Sequence, residues 1–196
     1  LDVFAPAVSL THFFNPLGGY IIIRLTDEAT YFIEQVTGHV IPDFRPVLKD
    51  GVLSLIKYAE EKILNADEAQ KSGLKGMRRS LDAVLIFAER YRRLALSKAE
   101  STADGDVKER MLSIADALSC VPANGATTLS QAIQSFILMW QVMCIEQAPN
   151  PFAFSVGNAD RIFEPYRAKE GLDRETSAAL FSHLLAGSTV ADRRWA

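Results

Sequence analysis

The chain has 196 residues, 48% hydrophobic and 23% charged, which excludes a wholly disordered chain, a collagen-like chain and a coiled-coil rod. Its 21 basic and 24 acidic residues leave a net charge of −3, so it carries neither an electrostatic footprint for nucleic acid nor a field that steers a polyanion. At this length roughly 70% of the unfolded surface can be buried, enough for one domain or for a piece of a larger one.

Residues 1–30 read as irregular, punctuated by Pro6, Pro16, Gly18 and Gly19, with Tyr20-Ile21-Ile22-Ile23 as a short strand candidate. Helical signals start at Asp43, which suits a cap, with Pro46 in the first turn. From there Val47, Leu48, Val52, Leu55, Ile56, Ala59 and Ile63 repeat every three or four residues, and Lys57, Glu60, Glu61 and Lys62 turn outward. Residues 65–73 loosen into a polar stretch ending at Gly73. The spacing then predicts a helix over about 74–99, with Leu81, Val84, Leu85, Ala88, Tyr91 and Ala95 on its inner face. Arg78, Arg79, Arg90, Arg92 and Arg93 make its outer face basic; a solvated face is the ordinary reading and anion binding the other.

A turn at 101–106 leads to a helix over about 107–119, with Met111, Ile114, Ala115 and Leu118 inward, ended by Pro122 and Gly125. Thr128-Leu129-Ser130-Gln131 reads as a capping box in which Thr128 and Gln131 satisfy each other's exposed amides. The helix it opens, about 129–146, is apolar nearly all round and is expected to be buried on every side. Pro149 and Pro151 break it. Phe152 to Val156 is a second strand candidate, stopped by Gly157-Asn158; Asp160 to Arg167 can turn helically, with Asp160 as a cap. Asp173 caps a last helix, about 174–186, with Ala178, Leu180, Phe181, Leu184 and Leu185 apolar. Mostly helices with few, distant strands fit the helical front part of a large α/β protein.

Cys120 and Cys144 do not make a disulfide scaffold and suit a reducing compartment. Residues 1–10 lack the marks of a secretory signal. The most apolar stretch, 132–145, is interrupted by Gln134, Ser135 and Gln141 and is too short to span a bilayer. A cytoplasmic protein is the expectation. The start at Leu1 and the end at Trp195-Ala196 suggest a segment of a longer protein.

Signals for chemistry are sparse. His12, His39 and His183 form no i,i+3 or i,i+4 pair, so no metal signature arises, and there is no phosphate loop, nucleophile elbow or zinc spacing. Cys144 lies close to Glu146, but inside an apolar helix a thiol behaves as a small hydrophobe; Cys120 reads as packing too. Gly157 to Arg161, directly after a strand candidate, is either a functional strand end or an ordinary turn. No catalytic, cofactor-binding or metal residue is assigned.

Five segments, in order, resemble the pyruvate formate-lyase domain of the glycyl radical enzymes. Gly38-His39-Val40-Ile41-Pro42-Asp43-Phe44 through Gly51 is similar to the family's stretch of Gly-His, Pro-Asp-aromatic, Leu and Gly. Phe87-Ala88-Glu89-Arg90-Tyr91 is similar to its FAERY helix, and Ile114 to Pro122 to its "IA…C..VP" stretch. Thr128 to Phe136 is similar to the helix that follows. Phe154 to Arg161, with Pro165-Tyr166 after it, is similar to "S.GR.DQ….PY", except that Asn158 stands where the family commonly has Arg and Arg161 where it commonly has Gln.

The resemblance implies a mainly helical chain within an α/β architecture. It would be the helical outer part and first strands of a ten-stranded barrel, with residues 1–37 as an irregular lead-in and 38–196 as a partial domain cut at its C-terminal end. It further implies a lyase, dehydratase or formate acetyltransferase-like transferase of anaerobic metabolism that cleaves a C–C, C–O or C–N bond of a small substrate. A backbone glycyl radical, installed by a radical S-adenosylmethionine activating enzyme, oxidises a cysteine, and the thiyl radical attacks the substrate. A cytoplasmic homodimer is implied, with no nucleic acid or membrane partner. The family's Gly-Cys motif and terminal glycyl motif are not in this sequence: Met143-Cys144-Ile145-Glu146 lacks the preceding glycine and precedes Gly157. The expectation is therefore a chain that binds no cofactor itself and is inert alone. The rival is a non-catalytic helical interaction module derived from the same fold; a stand-alone enzyme using His39 or Cys144 is a third reading.

Overall fold

The structure, a computed structural model, describes residues 24–26, 29–30, 40–146 and 154–193. A small antiparallel hairpin opens it: β1 (Arg24–Thr26) pairs with β2 (Ala29–Thr30), Arg24 opposite Thr30 and Thr26 opposite Ala29. The strand candidate at 20–23 lies outside the described residues. Seven helices follow among the described residues: α1 (Arg45–Asp50), α2 (Val52–Asn65), α3 (Glu68–Ser101), α4 (Gly105–Cys120), α5 (Leu129–Glu146), α6 (Ala159–Glu170) and α7 (Arg174–Arg193).

The single helix expected after Asp43 is two. Gly51 takes φ +81°, and the chain breaks there because a neighbouring loop enters. Val52 N–H donates to the Pro122 carbonyl (2.8 Å), Leu53 N–H to that of Ala123 (3.0 Å), and Ala126 N–H returns to that of Leu48 (2.8 Å). The first amides of α2, which no intrahelical carbonyl can serve, are thus satisfied by the chain leaving α4. The approach is so close that a Cβ on Gly51 would strike the backbone of Ala123 and Asn124, and one on Gly125 would fall on the Lys49 carbonyl.

Most of the polar stretch at 65–73 is helical, with only Ala66 and Asp67 between α2 and α3. Asp67 Oδ1 accepts from Gln70 N–H (2.8 Å) and Gln70 Oε1 from Asp67 N–H (3.3 Å), so a capping box starts α3 earlier than expected. The helix carries Gly73 and Gly76 through its exposed first turns at a cost of about 1 kcal/mol each. Its deepest residues are small, namely Ala88, Ala95 and Ala99 with Val84, which lets α4 and α2 lie close. Tyr91 is not on that face; it is 41% exposed and its ring lies tilted against Phe87, centroids 4.7 Å apart. Asp104 caps α4 through Asp106 N–H (2.9 Å) and Val107 N–H (3.1 Å), with Ala115, Ala117 and Leu118 buried and Met111 and Ile114 only half-buried.

The bounds of α5 match the expectation, but its box is offset. Thr128 Oγ1 does accept from Gln131 N–H (3.1 Å), whereas Gln131 Oε1 serves Thr127, by its N–H and its hydroxyl, both at 2.9 Å. The Leu129 amide donates instead to the Glu170 carboxylate at the end of α6. Nor is α5 covered on every side: Ile145 is 51% exposed, and Ile137, Trp140 and Met143 are half-buried.

Two cores share α5. One holds Phe44, Leu48, Leu129, Ala132, Ile133, Phe136, Phe163 and Leu184; the other holds Val47, Val52, Ile56, Val84, Ala88, Leu118 and Leu138. Consecutive residues of α1, Val47 and Leu48, point into different cores. Edge-on ring contacts run through the first core: Phe44 to Phe136 (4.7 Å), Phe136 to Phe163 (5.9 Å) and Phe163 to Phe181 (5.6 Å). Asp173 Oδ1 caps α7 at Thr176 N–H (2.7 Å), as expected, and α7 reaches further than 186.

The strand expected over 152–156 reduces, among the described residues, to one parallel bridge between Val40 and Phe154, with Ser155 N–H donating to the Val40 carbonyl at 3.1 Å. Trp140 Nε1–H on α5 donates to the Phe154 carbonyl at 3.1 Å. The described residues are thus mostly helical, and no ten-stranded barrel stands among them.

Candidate functional site

The Val40–Phe154 bridge brings two distant segments together. Beyond it a cleft of about 290 Å³ opens, walled by Ile41, Pro42, Asp43 and Arg45 on one side and by Val156, Gly157, Asn158, Arg161 and Ile162 on the other. Gly157 takes φ +75°, and a Cβ there would meet Ile41 Cγ2, so glycine lets the two walls interlock. Ser155 Oγ accepts from Gly157 N–H at 3.1 Å and shapes the turn. Asn158, not Asp160, occupies the N-cap position of α6, and its side chain makes no capping bond.

Arg45 grips Asp43 in a fork, Nε to Oδ1 at 2.7 Å and Nη2 to Oδ2 at 2.9 Å, and Arg45 N–H adds 3.2 Å to Oδ1. That hydrogen bonding holds the Asp43 carboxyl below the ordinary carboxylate range and raises the Arg45 guanidinium. Arg161 joins none of the ion pairs among the described residues. Further along α6, burial pushes the Tyr166 phenol up, and the Asp50 charge adds to it.

The remaining sequence candidates are not assembled with this cleft. His12 and His39 lie outside the described residues, and His183 falls on α7. Cys120 is half-buried at the end of α4, where its carbonyl accepts from Asn124 Nδ2 (3.2 Å), and Cys144 is buried on α5. Among the described residues no group of three or more His, Cys, Asp or Glu side chains is placed to hold a metal ion, and no helix is long and apolar enough to cross a membrane. Sequence spacing read Asp43 only as a helix cap and did not pair the Ile41–Arg45 wall with Gly157, although a glycine after a strand end often marks a close approach.

A second depression, about 370 Å³, lies on α5 between α4 and α7, with Met111, Ile114, Ile133, Ile137 and Leu180 inside and Arg110 at its rim. It is separate from the cleft and gathers no cluster of titratable groups.

Comparison with known proteins places this geometry. A family model described as pyruvate formate lyase-like matches residues 25–186. Trans-4-hydroxy-L-proline dehydratase of Clostridioides difficile is 31% identical over 169 residues, covering 79% of this chain and 21% of the relative. Isethionate sulfite-lyase of Nitratidesulfovibrio vulgaris is 29% identical over 148 residues, covering 70% and 18%. Among solved structures, one concerning 1,2-propanediol dehydration in Roseburia inulinivorans superposes with a TM-score of 0.67 at 30% identity, over 74% of this chain and 19% of that one. A glycyl radical enzyme from Archaeoglobus fulgidus superposes with a TM-score of 0.64 at 26% identity, over 75% and 20%. The chain spans about a fifth of the length of these relatives. With the family match over most of its length and the two resembling segments meeting at one bridge, the chain belongs to the pyruvate formate lyase-like family.

Proposed function

We propose that this chain is a helical part of a glycyl radical lyase or dehydratase, which cleaves a C–C, C–O or C–N bond of a small substrate, and that alone it performs no catalysis. The observation that carries the reading is the meeting of the 40–45 and 154–161 segments at the Val40–Phe154 bridge, where two strands of a larger sheet would run side by side. The likeness to lyase and dehydratase relatives over 70–79% of the chain supports it. The packing fits such a role. A carbon radical must be kept from water and oxygen, and two apolar cores meeting along α5 make a water-excluding wall.

The radical itself does not fit the residues present. Neither cysteine follows a glycine, since Ser119 precedes Cys120 and Met143 precedes Cys144, and the Cys144 side chain is buried within α5. In the proposal the radical-bearing glycine and its cysteine partner belong to other parts of the protein. What these residues do in the proposal is position the cleft and exclude solvent. A radical S-adenosylmethionine activating enzyme, a homodimer and an anaerobic cytoplasm complete the proposal.

The test is electron paramagnetic resonance under anaerobic conditions, after treatment with the activating enzyme. The complete gene product is expected to show an organic radical signal, and residues 1–196 alone none. A protein radical on residues 1–196 overturns the inert assignment, and its absence from the complete product overturns the enzymatic one.

A further inference from the structure

The depression of about 370 Å³ over α5 is walled by α4, α5 and α7. Ala117 and Ile133 are buried and form its floor, and Met111, Ile114, Ile137 and Leu180 stand half-buried around them. Four large side chains, each half-open to one concavity, leave apolar surface in water that a guest of the same character would cover. No aromatic residue lines the hollow among the described residues, although the first core beside it is built on phenylalanines. Its walls are therefore aliphatic, and the unbranched Met111 lets their shape adjust.

The polar groups around it are few and unused. Ser113, Ser130 and the half-buried Gln134 border the hollow, and their side chains make no hydrogen bond among the described residues. Arg110 is the single charged residue of the described lining. Its Nε donates to the Asp106 carbonyl at 3.3 Å on its own helix, and the guanidinium joins no ion pair among the described residues. A chain of net charge −3 thus sets one cation and no carboxylate beside this aliphatic hollow.

That arrangement is complementary to an amphiphile with a single negative charge. We infer that the depression binds an unbranched aliphatic carboxylate, its chain laid over Ile133 and Ile137 and its head group at Arg110. The guanidinium fork matches the two oxygens of a carboxylate, and the charge-assisted pair is stronger than a neutral one. The chain supplies most of the affinity, because each methylene taken out of water adds to it. This site is separate from the cleft at Gly157 and does not rest on the proposed function.

The test is titration of the 15N-labelled chain with butanoate, hexanoate and octanoate, each below its micelle-forming concentration and at constant ionic strength. The backbone amides of 107–117 and 130–137 are followed, with hexan-1-ol and hexylamine as the neutral and cationic probes. Saturable shifts confined to these two stretches and to Leu180 are expected. Affinity is expected to rise about fourfold with each added methylene until the chain outgrows the hollow. Arg110→Gln is expected to weaken hexanoate about tenfold and to leave hexan-1-ol unchanged. Ile137→Trp, which fills the hollow from a half-buried position, is expected to abolish binding of both; where it fails to fold, Arg110→Gln carries the test. No saturable shift, an affinity that does not grow with chain length, or unaltered hexanoate binding in Arg110→Gln overturns the inference. So does hexylamine binding as tightly as hexanoate. The same titration of the complete gene product is expected to give the same response. Binding to residues 1–196 but not to the complete product overturns the inference too, because another part of the protein then fills the hollow.

Discussion

Glu89 is pulled furthest from its ordinary behaviour. It accepts from Arg92 at 2.7 and 3.0 Å and from Arg93 at 2.8 Å, and this hydrogen bonding lowers its carboxyl from an ordinary 4.5 to about 2. A carboxylate whose folded pKa is depressed stabilises above its unfolded pKa and loses that contribution as pH falls through the folded value. The window is therefore from about 4.5 down to about 2, and because the group is solvent-exposed the contribution is small and screened by salt. Carboxyl carbon NMR is expected to find the Glu89 midpoint near 2 and to find it raised in Arg92→Ala, the larger of the two causes. Ser135 is the opposite case. It is fully buried on α5, and its hydroxyl has no hydrogen-bond partner among the described residues. Since an unsatisfied buried polar group costs about 1–3 kcal/mol, Ser135→Ala is expected to raise stability by about 1 kcal/mol in urea denaturation.

At the scale of elements, the junction of the α1–α2 break with the 122–126 loop is the least forgiving place. A Cβ on Gly125 lands on the Lys49 carbonyl, and backbone cannot swing aside as a side-chain tip can. Gly125→Ala is expected to cost about 2–3 kcal/mol, whereas Gly73→Ala, in open space on α3, is expected to gain about 0.5–1 kcal/mol; chemical denaturation of the pair checks the contrast. This junction also explains what sequence reading missed. Apolar spacing ran unbroken from Val47 to Ile63, and only the tertiary approach of Pro122 and Ala123 makes Gly51 a break. The α3 start was legible in Asp67 and Gln70, but the polar composition around them hid it. The bounds of α5 and the cap of α7 were readable because Thr128 and Asp173 act through bonds three residues away. The cleft was half legible: Gly157 to Arg161 stood out as a strand-end turn, but Ile41 and Arg45 join it only through the folded chain.

At the scale of the molecule, Phe163 ties α6 into the first core. It is fully buried and lies edge-on to both Phe136 and Phe181. Phe163→Ala is expected to cost about 3–5 kcal/mol, and because α6 carries Asn158 and Arg161, to blur their amide resonances before the α3–α4 pair responds; thermal unfolding followed by NMR checks both. The parallel Val40–Phe154 bridge joins two segments that lie far apart in the chain. Two adjoining parallel strands need a crossover, which a single helix normally provides. Here α1 to α5 all lie within that one connection. The connection is therefore a packed body rather than a loop, and what fixes it is the two cores it builds, not the entropy of closing it. A change of length in the exposed first turns of α3 touches neither core, so the Val40–Phe154 bridge and the cleft beside it stay where they are.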